Sequence, residues 1–440
     1  MAEPAALDVH VSGTRVGVLA STPEGLYVFT YLPETAPEKL VSLTMPVRAE
    51  SYKWGKGGLH PFFQMNLPEG TKKALLQEKL GSLTAVTDFG LLALTGQRTI
   101  GRVRCVPQGQ AVPVAQDDLQ VAALLASPNA HDLLMEHLEK GMTEGVSGVM
   151  PKLLRNDKST TTTDEYIVKT GRPDLPGLAI NEYLCLSAAR RCGLHVPEIE
   201  LSADGNVLAI RRFDRMADGG ELAVEDFCSL QGLGPESKYA GSLENMAARL
   251  KDYVAPEQFH DNAIRLFKLL LLNYAIRNAD AHLKNFALLY SAPDDAVLAP
   301  VYDILTVTAY GEYARNIPGL TLEGKKVWAC GKSLHKFATQ RLNLSAQVRA
   351  EALASVTGAL LATFPEIQAY AGKFPHFRET AKRMVDEWEK GIAGIQPTAS
   401  ARVQPRGELR STLGMSDPNP PSKSPNPYVN PDGAFSHKTR

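Results

Sequence analysis

Between residues 7 and 32 apolar side chains fall at alternate positions: Leu7, Val9 and Val11, then Val16 and Val18 after a Ser12-Gly13 turn, then Leu26, Val28 and Thr30. Successive side chains of a strand point to opposite faces, so this spacing predicts a β-meander with one face buried. Pro61, Pro68 and Gly70 punctuate the next stretch, ahead of a helix predicted over 71–80. A strand is predicted over 99–106, and the Pro/Gln/Gly-rich run 107–116 reads as a connector. Helical spacing follows at 119–126 and 131–141. From Gly145 the texture changes to a small-residue loop, a polar linker over 156–164, a strand over 165–169 and a helix over 181–192 closed by Gly193. Strands are predicted at 199–201 and 207–213, and helices at 244–253, 257–277, 346–364 and 367–392. Strands first and helices after predict an α+β fold. The expected divisions are a β-rich N-terminal subdomain (1–110), a middle region (111–240), a helical region (241–395) and a tail (396–440). The tail carries eight prolines among Ser, Asn and Gly. Such a segment buries too little apolar surface to offset its ordering entropy, so it is predicted disordered.

Composition narrows the class. With 440 residues, 44% hydrophobic and 22% charged, the chain has room for a large core and the make-up of a soluble globular protein. A formal charge of -1 supplies no global attraction to nucleic acid or an anionic membrane. Cys105, Cys185, Cys192, Cys228 and Cys330 form no C-x-x-C pair and suit a reducing compartment. The Met-Ala-Glu-Pro start has no basic stretch leading into an apolar one. The most apolar run, Leu266 to Ile276, is broken by Lys268 and Asn273 and is too short to cross a bilayer. It reads as a buried core helix, and the expectation is a cytoplasmic protein without membrane contact.

Candidate chemistry centres on Asn278-Ala279-Asp280-Ala281-His282-Leu283-Lys284-Asn285-Phe286, followed by a predicted apolar strand at Val301-Tyr302-Asp303-Ile304. An Asp, an Asn five positions on and a later lone Asp suit metal-assisted phosphoryl transfer. Asp280 would take the proton of a hydroxyl nucleophile, while Asn285 and Asp303 offer Mg²⁺ its hard oxygen ligands. The same residue types also build ordinary turns. Lys169 lies on a predicted strand thirteen residues before Glu182, near the start of the next helix. A strand lysine paired with a helix glutamate is the kinase arrangement for the α/β-phosphates. The competing reading is an edge lysine facing water. Ser147-Gly148-Val149-Met150-Pro151-Lys152 stands where a phosphate-cradling loop belongs, yet is neither G-x-G-x-x-G nor a Walker A sequence. Arg211, Arg212 and Phe213 stand where a kinase has its adenine-binding hinge, or else end a core strand in a solvated charge cluster. His282 would orient the loop or touch phosphate, and without a His or Cys companion four residues on it is no zinc ligand. Two spellings mislead: Asp88-Phe89-Gly90 precedes Lys169, the wrong order for a kinase metal motif, and Gly331-Lys332-Ser333 lacks the first glycine of a Walker A loop.

In this order the motifs resemble the HipA family of toxin kinases from bacterial toxin–antitoxin modules, over roughly residues 7 to 390. The resemblance rests on Ser147 to Lys152, Tyr166-Ile167-Val168-Lys169, Asn181-Glu182-Tyr183, Arg212-Phe213-Asp214-Arg215, Asn278 to Phe286 and Tyr302-Asp303-Ile304, with Asn66-Leu67-Pro68-Glu69 in the N-terminal subdomain. It implies a protein-kinase-like two-lobed fold, with the nucleotide loop in 111–240 and the catalytic and metal residues in the mainly helical C-lobe. It further implies a Ser/Thr protein kinase using ATP and Mg²⁺, with a translation component of the aminoacyl-tRNA synthetase type as substrate. A HipB-like helix-turn-helix antitoxin would bridge it to operator DNA. By position, Asp280 becomes the catalytic base, Asn285 and Asp303 the metal ligands, and Glu182 the structural partner of Lys169. The nucleotide contacts become Ser147, Gly148, Val149, Met150, Pro151, Lys152, Lys169, Arg211, Arg212, Phe213, His282, Lys284, Asn285, Tyr302 and Asp303. The family autophosphorylates a loop serine; here Gly145 replaces the first serine of that pattern, leaving Ser147 as the candidate. Two other readings use the same residues: a small-molecule kinase of the aminoglycoside or lipid type, and a non-catalytic partner- or DNA-binding module with a degenerate nucleotide pocket.

Overall fold

The computed structural model describes residues 4–54, 58–69, 73, 87–113, 119–143, 159–172, 174–328 and 331–397. The predicted 71–80 helix, the 145–152 loop and the tail beyond 397 fall essentially outside them. The meander forms as expected: β1 (Ala6–Val11), β2 (Thr14–Ser21) and β3 (Tyr27–Tyr31) are successive antiparallel neighbours. Ser12 and Gly13 both take positive φ, 46° and 75°, the backbone a tight two-residue hairpin needs to match strand twist. Adding β4 (Tyr52–Trp54) and β5 (Val103–Pro107) gives a five-stranded sheet ordered β4-β3-β2-β1-β5. Its alternating residues Leu7, Val9, Val11, Leu19 and Phe29 bury against Phe62, Phe63 and Phe89. The strand predicted from Thr99 begins later, because Gly101 takes a left-handed turn at φ 86°.

The second sheet carries the strand lysine. β6 (Ser159–Thr162), β7 (Tyr166–Thr170), β8 (Ile199–Leu201) and β9 (Val207–Arg211) are arranged β6-β7-β9-β8, all antiparallel. β6 corrects the predicted polar linker: a threonine run is β-branched and pairs readily along β7. Val168, Val207 and Ala209 bury one face of this sheet beneath Leu124, Leu125 and Leu134. The helix Leu178–Arg191 follows, and Gly193 closes it at φ 78°, as expected.

A third sheet, β10 (Ala223–Asp226), β11 (Ala287–Tyr290) and β12 (Val297–Leu298), escaped prediction. Its strands of two to four residues are too short for a periodicity to register. Beyond it the chain is helical. The Pro256–Ala275 helix is the predicted core helix, with Leu266, Phe267 and Leu269 to Leu272 buried. Gly391, on the Arg378–Gly394 helix, lies against the end of this core helix so closely that a Cβ would come within 1.9 Å of the Ala275 carbonyl oxygen. The predicted break near Pro365 is absent: a single helix runs Ala346–Lys373 through that proline. Leu360, Phe364 and Ile367 are buried around it, so tertiary packing outweighs the lost backbone bond; the break falls at Pro375 instead. Helix Gly331–Arg341 was also not foreseen. No helix among the described residues is long and apolar enough to cross a membrane, and Cys105, Cys185, Cys192 and Cys228 are buried free thiols.

Candidate active site

The loop after the core helix is set by its own amides. Arg277 takes a left-handed φ of 58°, which ends the helix and turns the chain. Asn278 then donates from Nδ2 to Asn273 Oδ1 at 2.7 Å, and its Oδ1 accepts the Asp280 backbone N–H at 3.2 Å. Asn285 Oδ1 accepts the His282 backbone N–H at 3.0 Å, closing the loop on itself. These bonds fix the two carboxamides and leave the Asp280 carboxylate half-buried at the rim.

Lys169 reaches across from β7. Its Nζ donates to Glu182 Oε1 at 2.5 Å and to Asp303 Oδ1 at 3.0 Å. The side chains of Lys169 and Glu182 are only 12% and 2% exposed, so both charges are desolvated and depend on each other. The edge-lysine reading does not survive this geometry. Asp303 also accepts from Asn285 Nδ2 at 2.9 Å, so Lys169, Glu182, Asn285 and Asp303 form one chain of charge-assisted bonds. Val301–Ile304 is not the predicted strand: Asp303 sits at φ 54°, a left-handed turn that aims its carboxylate back at Lys169. Asn181 holds that turn in place. It accepts the Thr306 N–H at 2.9 Å and donates to the Thr306 carbonyl at 3.1 Å, while Trp388 Nε1 donates to Thr306 Oγ1 at 2.6 Å.

Asp303 and Asn285 lie side by side and carry a carboxylate and an amide oxygen between them, with Asn285 turning Nδ2 to Asp303 while its Oδ1 accepts the His282 N–H. No group of three or more His, Cys, Asp or Glu able to hold a metal occurs among the described residues. That donor set fits Mg²⁺, which takes one or two protein ligands and completes its shell with phosphate and water. Nearby, buried His282 Nδ1 has no hydrogen-bond partner among the described residues. Burial pushes the His282 pKa down against the opposing pull of Asp280.

Other predicted contacts are distributed as follows. Tyr302 OH donates to the Lys284 carbonyl at 2.7 Å, and its ring lies 5.8 Å from that of Phe213 at 32°. Arg211 is an exposed residue that meets Glu198 at 3.5 Å. Arg212 is buried and commits its guanidinium to Asp214 at 2.6 and 3.0 Å and to the Thr163 and Thr99 carbonyls. It lines a cavity of about 300 Å³ with Arg98, Arg104, Arg215 and Glu221, a lining that includes neither Lys169 nor Asp280. Pairing of Arg104 and Arg215 with Glu221 makes that cavity a structural joint between the first sheet and the second. Ser147, Gly148, Val149, Met150, Pro151 and Lys152 lie outside the described residues. The two decoys do not enter the site: Asp88 opens a short helix and pairs with Lys73, and Gly331 opens another.

Three site neighbours were missed from sequence. Tyr239 donates its hydroxyl to Asp280 Oδ1. Lys238 pairs with Glu69 at 2.9 Å, and Glu69 also pairs with Lys284, whose Nζ donates to the Met65 carbonyl at 2.9 Å. Burial raises the Glu69 pKa, but the two lysines outweigh it and hold the carboxyl below its ordinary value. Glu69 ends the Asn66-Leu67-Pro68-Glu69 motif, the one signal that could have flagged it; nothing in the sequence marks Tyr239.

Comparison with known proteins agrees with this architecture. Residues 7–106 match the HipA N-terminal domain and residues 145–364 the HipA-like C-terminal domain. The chain belongs to the HipA family. Two relatives from Sinorhizobium fredii bear the names "Putative kinase Y4dM" and "Putative kinase Y4mE". The first is 29% identical over 338 residues, covering 70% of this chain and 78% of the relative. The second is 28% identical over 331 residues, covering 69% and 78%. Among solved structures, HipA from the Shewanella oneidensis MR-1 complex of HipA, HipB and operator DNA superposes with a TM-score of 0.62. It is 16% identical and covers 88% of this chain and 98% of that one, a likeness of fold. The HipA fold accounts for the antiparallel sheets followed by helices, as the α+β expectation required.

Proposed function

We propose that this HipA-family chain is an ATP- and Mg²⁺-dependent Ser/Thr protein kinase, the toxin of a toxin–antitoxin module. The observation that carries the reading is Lys169 held by both Glu182 and Asp303, with Asn285 on the far side of Asp303. Lys169 would bind the α/β-phosphates of ATP, and Glu182 keeps its ammonium aimed at them. Asn285 and Asp303 would hold Mg²⁺, which when bound neutralises charge on the β- and γ-phosphates. Asp280 accepts the proton of the acceptor hydroxyl. The acceptor oxygen forms its bond to the γ-phosphorus as the bond to the bridging oxygen breaks, and the electron pair leaves on ADP. Phe213 and Tyr302 flank the adenine side, and Arg211 and Arg212 supply hinge backbone there. By family resemblance alone, Lys152 would serve as a second cation and Ser147 as the site of any loop autophosphorylation.

By family, the partner is a HipB-like helix-turn-helix antitoxin that links the chain to operator DNA. The substrate is a translation component such as an aminoacyl-tRNA synthetase, in the cytoplasm. The purified chain, incubated with γ-labelled ATP, Mg²⁺ and host lysate, is expected to label a discrete protein on Ser or Thr, with labelling abolished by EDTA. Label appearing only on metabolites would replace this reading with a small-molecule kinase, and no ATP binding would replace it with a non-catalytic module.

A further inference from the structure

We propose that Tyr239 occupies the acceptor position of Asp280 and must swing aside before a substrate hydroxyl can be phosphorylated. The proposal rests on Asp280 as the base and adds what guards it. A phenol O–H donating to Asp280 Oδ1 makes the bond that an acceptor O–H makes at the moment of transfer. Tyr239 is the side-chain donor found on that carboxylate, so an incoming hydroxyl meets an occupied position. The phenol remains a donor, because burial and the adjoining Asp280 charge raise its pKa well above the ordinary tyrosine value.

The surroundings fit a side chain built to leave. The Tyr239 backbone is anchored on both sides: Lys326 Nζ donates to its carbonyl at 2.6 Å, and the neighbouring Lys238 carbonyl accepts the Leu283 N–H at 3.1 Å. The anchor ties the segment to the catalytic loop itself. The ring, by contrast, has little to hold it. It is 39% exposed, meets the His282 ring edge-on at 5.0 Å and lies beneath the Lys238 and Lys326 ammonium groups at 5.6 and 5.9 Å. Rotation of the side chain sacrifices the Asp280 hydrogen bond and these ring contacts while the anchored backbone stays fixed. A docking protein segment that buries the rim can displace the ring, whereas water alone does so rarely. The phenol therefore restrains idle ATP hydrolysis and selects acceptors able to compete for Asp280.

The test is Tyr239→Phe in the full chain, which keeps the ring and deletes the hydroxyl. ADP release with water as the sole acceptor is expected to rise about 2- to 10-fold, the equilibrium weight of one hydrogen bond. With casein as a generic acceptor, KM for casein should fall by a similar factor while KM for ATP stays put. Independently of turnover, Asp280→Ala in 3-fluorotyrosine-labelled protein should shift the ¹⁹F resonance that Tyr239→Phe removes. Rates in Tyr239→Phe equal to wild type, or reduced toward those of Asp280→Asn, would overturn the gate. Wild-type ADP release in Asp280→Asn would instead overturn Asp280 as base, a different failure.

Discussion

The two halves of the site are built on opposite plans. On the proposed phosphate side Lys169, Glu182, Asn285 and Asp303 come from a strand, a helix, a loop and a left-handed turn, and each touches at least one other. Their supports, Asn181, Thr306 and Trp388, are themselves buried and bonded. On the acceptor side Asp280 stands half-buried at the rim, held through a half-exposed tyrosine. Groups that meet the same nucleotide in every cycle gain from rigid preorganisation. A group that meets a large, variable protein acceptor must stay reachable. The contrast separates what the fold fixes from what a partner has to bring.

Substitutions on the phosphate side sharpen that contrast. Asp303→Ala removes the proposed metal oxygen and an observed partner of Lys169 together, and phosphate transfer is expected to drop by about 10³-fold, with Mg²⁺ dependence weakened in ATP titrations. Glu182→Gln leaves the Lys169 ammonium in place but replaces one of its two charged partners with a neutral amide. KM for ATP should rise by about 10- to 100-fold, the worth of a charge-assisted hydrogen bond, with a smaller change in kcat. Equal effects on kcat and KM would mean that the two halves are not separable.

The smallest effect belongs to Glu69, which reaches the loop from the N-terminal subdomain. Its folded pKa lies below the unfolded one, so its contribution to stability is present above about pH 4.5 and is lost as pH falls through the folded value. The carboxylate is 32% exposed and solvent-screened, so Glu69→Gln should lower stability by no more than about 1 kcal/mol. The difference from wild type should shrink in acid, read by denaturant titration at pH 7 and pH 3.5. A difference that grows in acid would contradict this sign.

Much of the Lys169 cluster was legible in the chain because its signals are local. A lysine inside Tyr166-Ile167-Val168 and a glutamate at the head of the next helix announce a buried pair, since an isolated ammonium there would be expensive. Asp280 and Asn285 share one short loop. The N-terminal meander was equally plain, because period-two alternation and a Ser12-Gly13 turn are both local. What sequence missed is long-range or short in extent. Tyr239 meets Asp280 from 41 positions away, and Glu69 meets Lys284 from 215. The third sheet hides in strands of two to four residues, and Asp303 was read as a strand residue where the chain turns left-handed. Pro365 shows the converse: a strong local breaker overruled by buried neighbours.

The most direct test of the central claim is Asp280→Asn, measured for both ATP binding by calorimetry and phosphate transfer. Because the phosphate side is assembled without Asp280, ATP·Mg²⁺ affinity should stay within about twofold of wild type, while transfer should fall by about 10²–10⁴-fold as expected for loss of a general base. Transfer at the wild-type rate would contradict the account, and so would loss of binding in parallel with transfer.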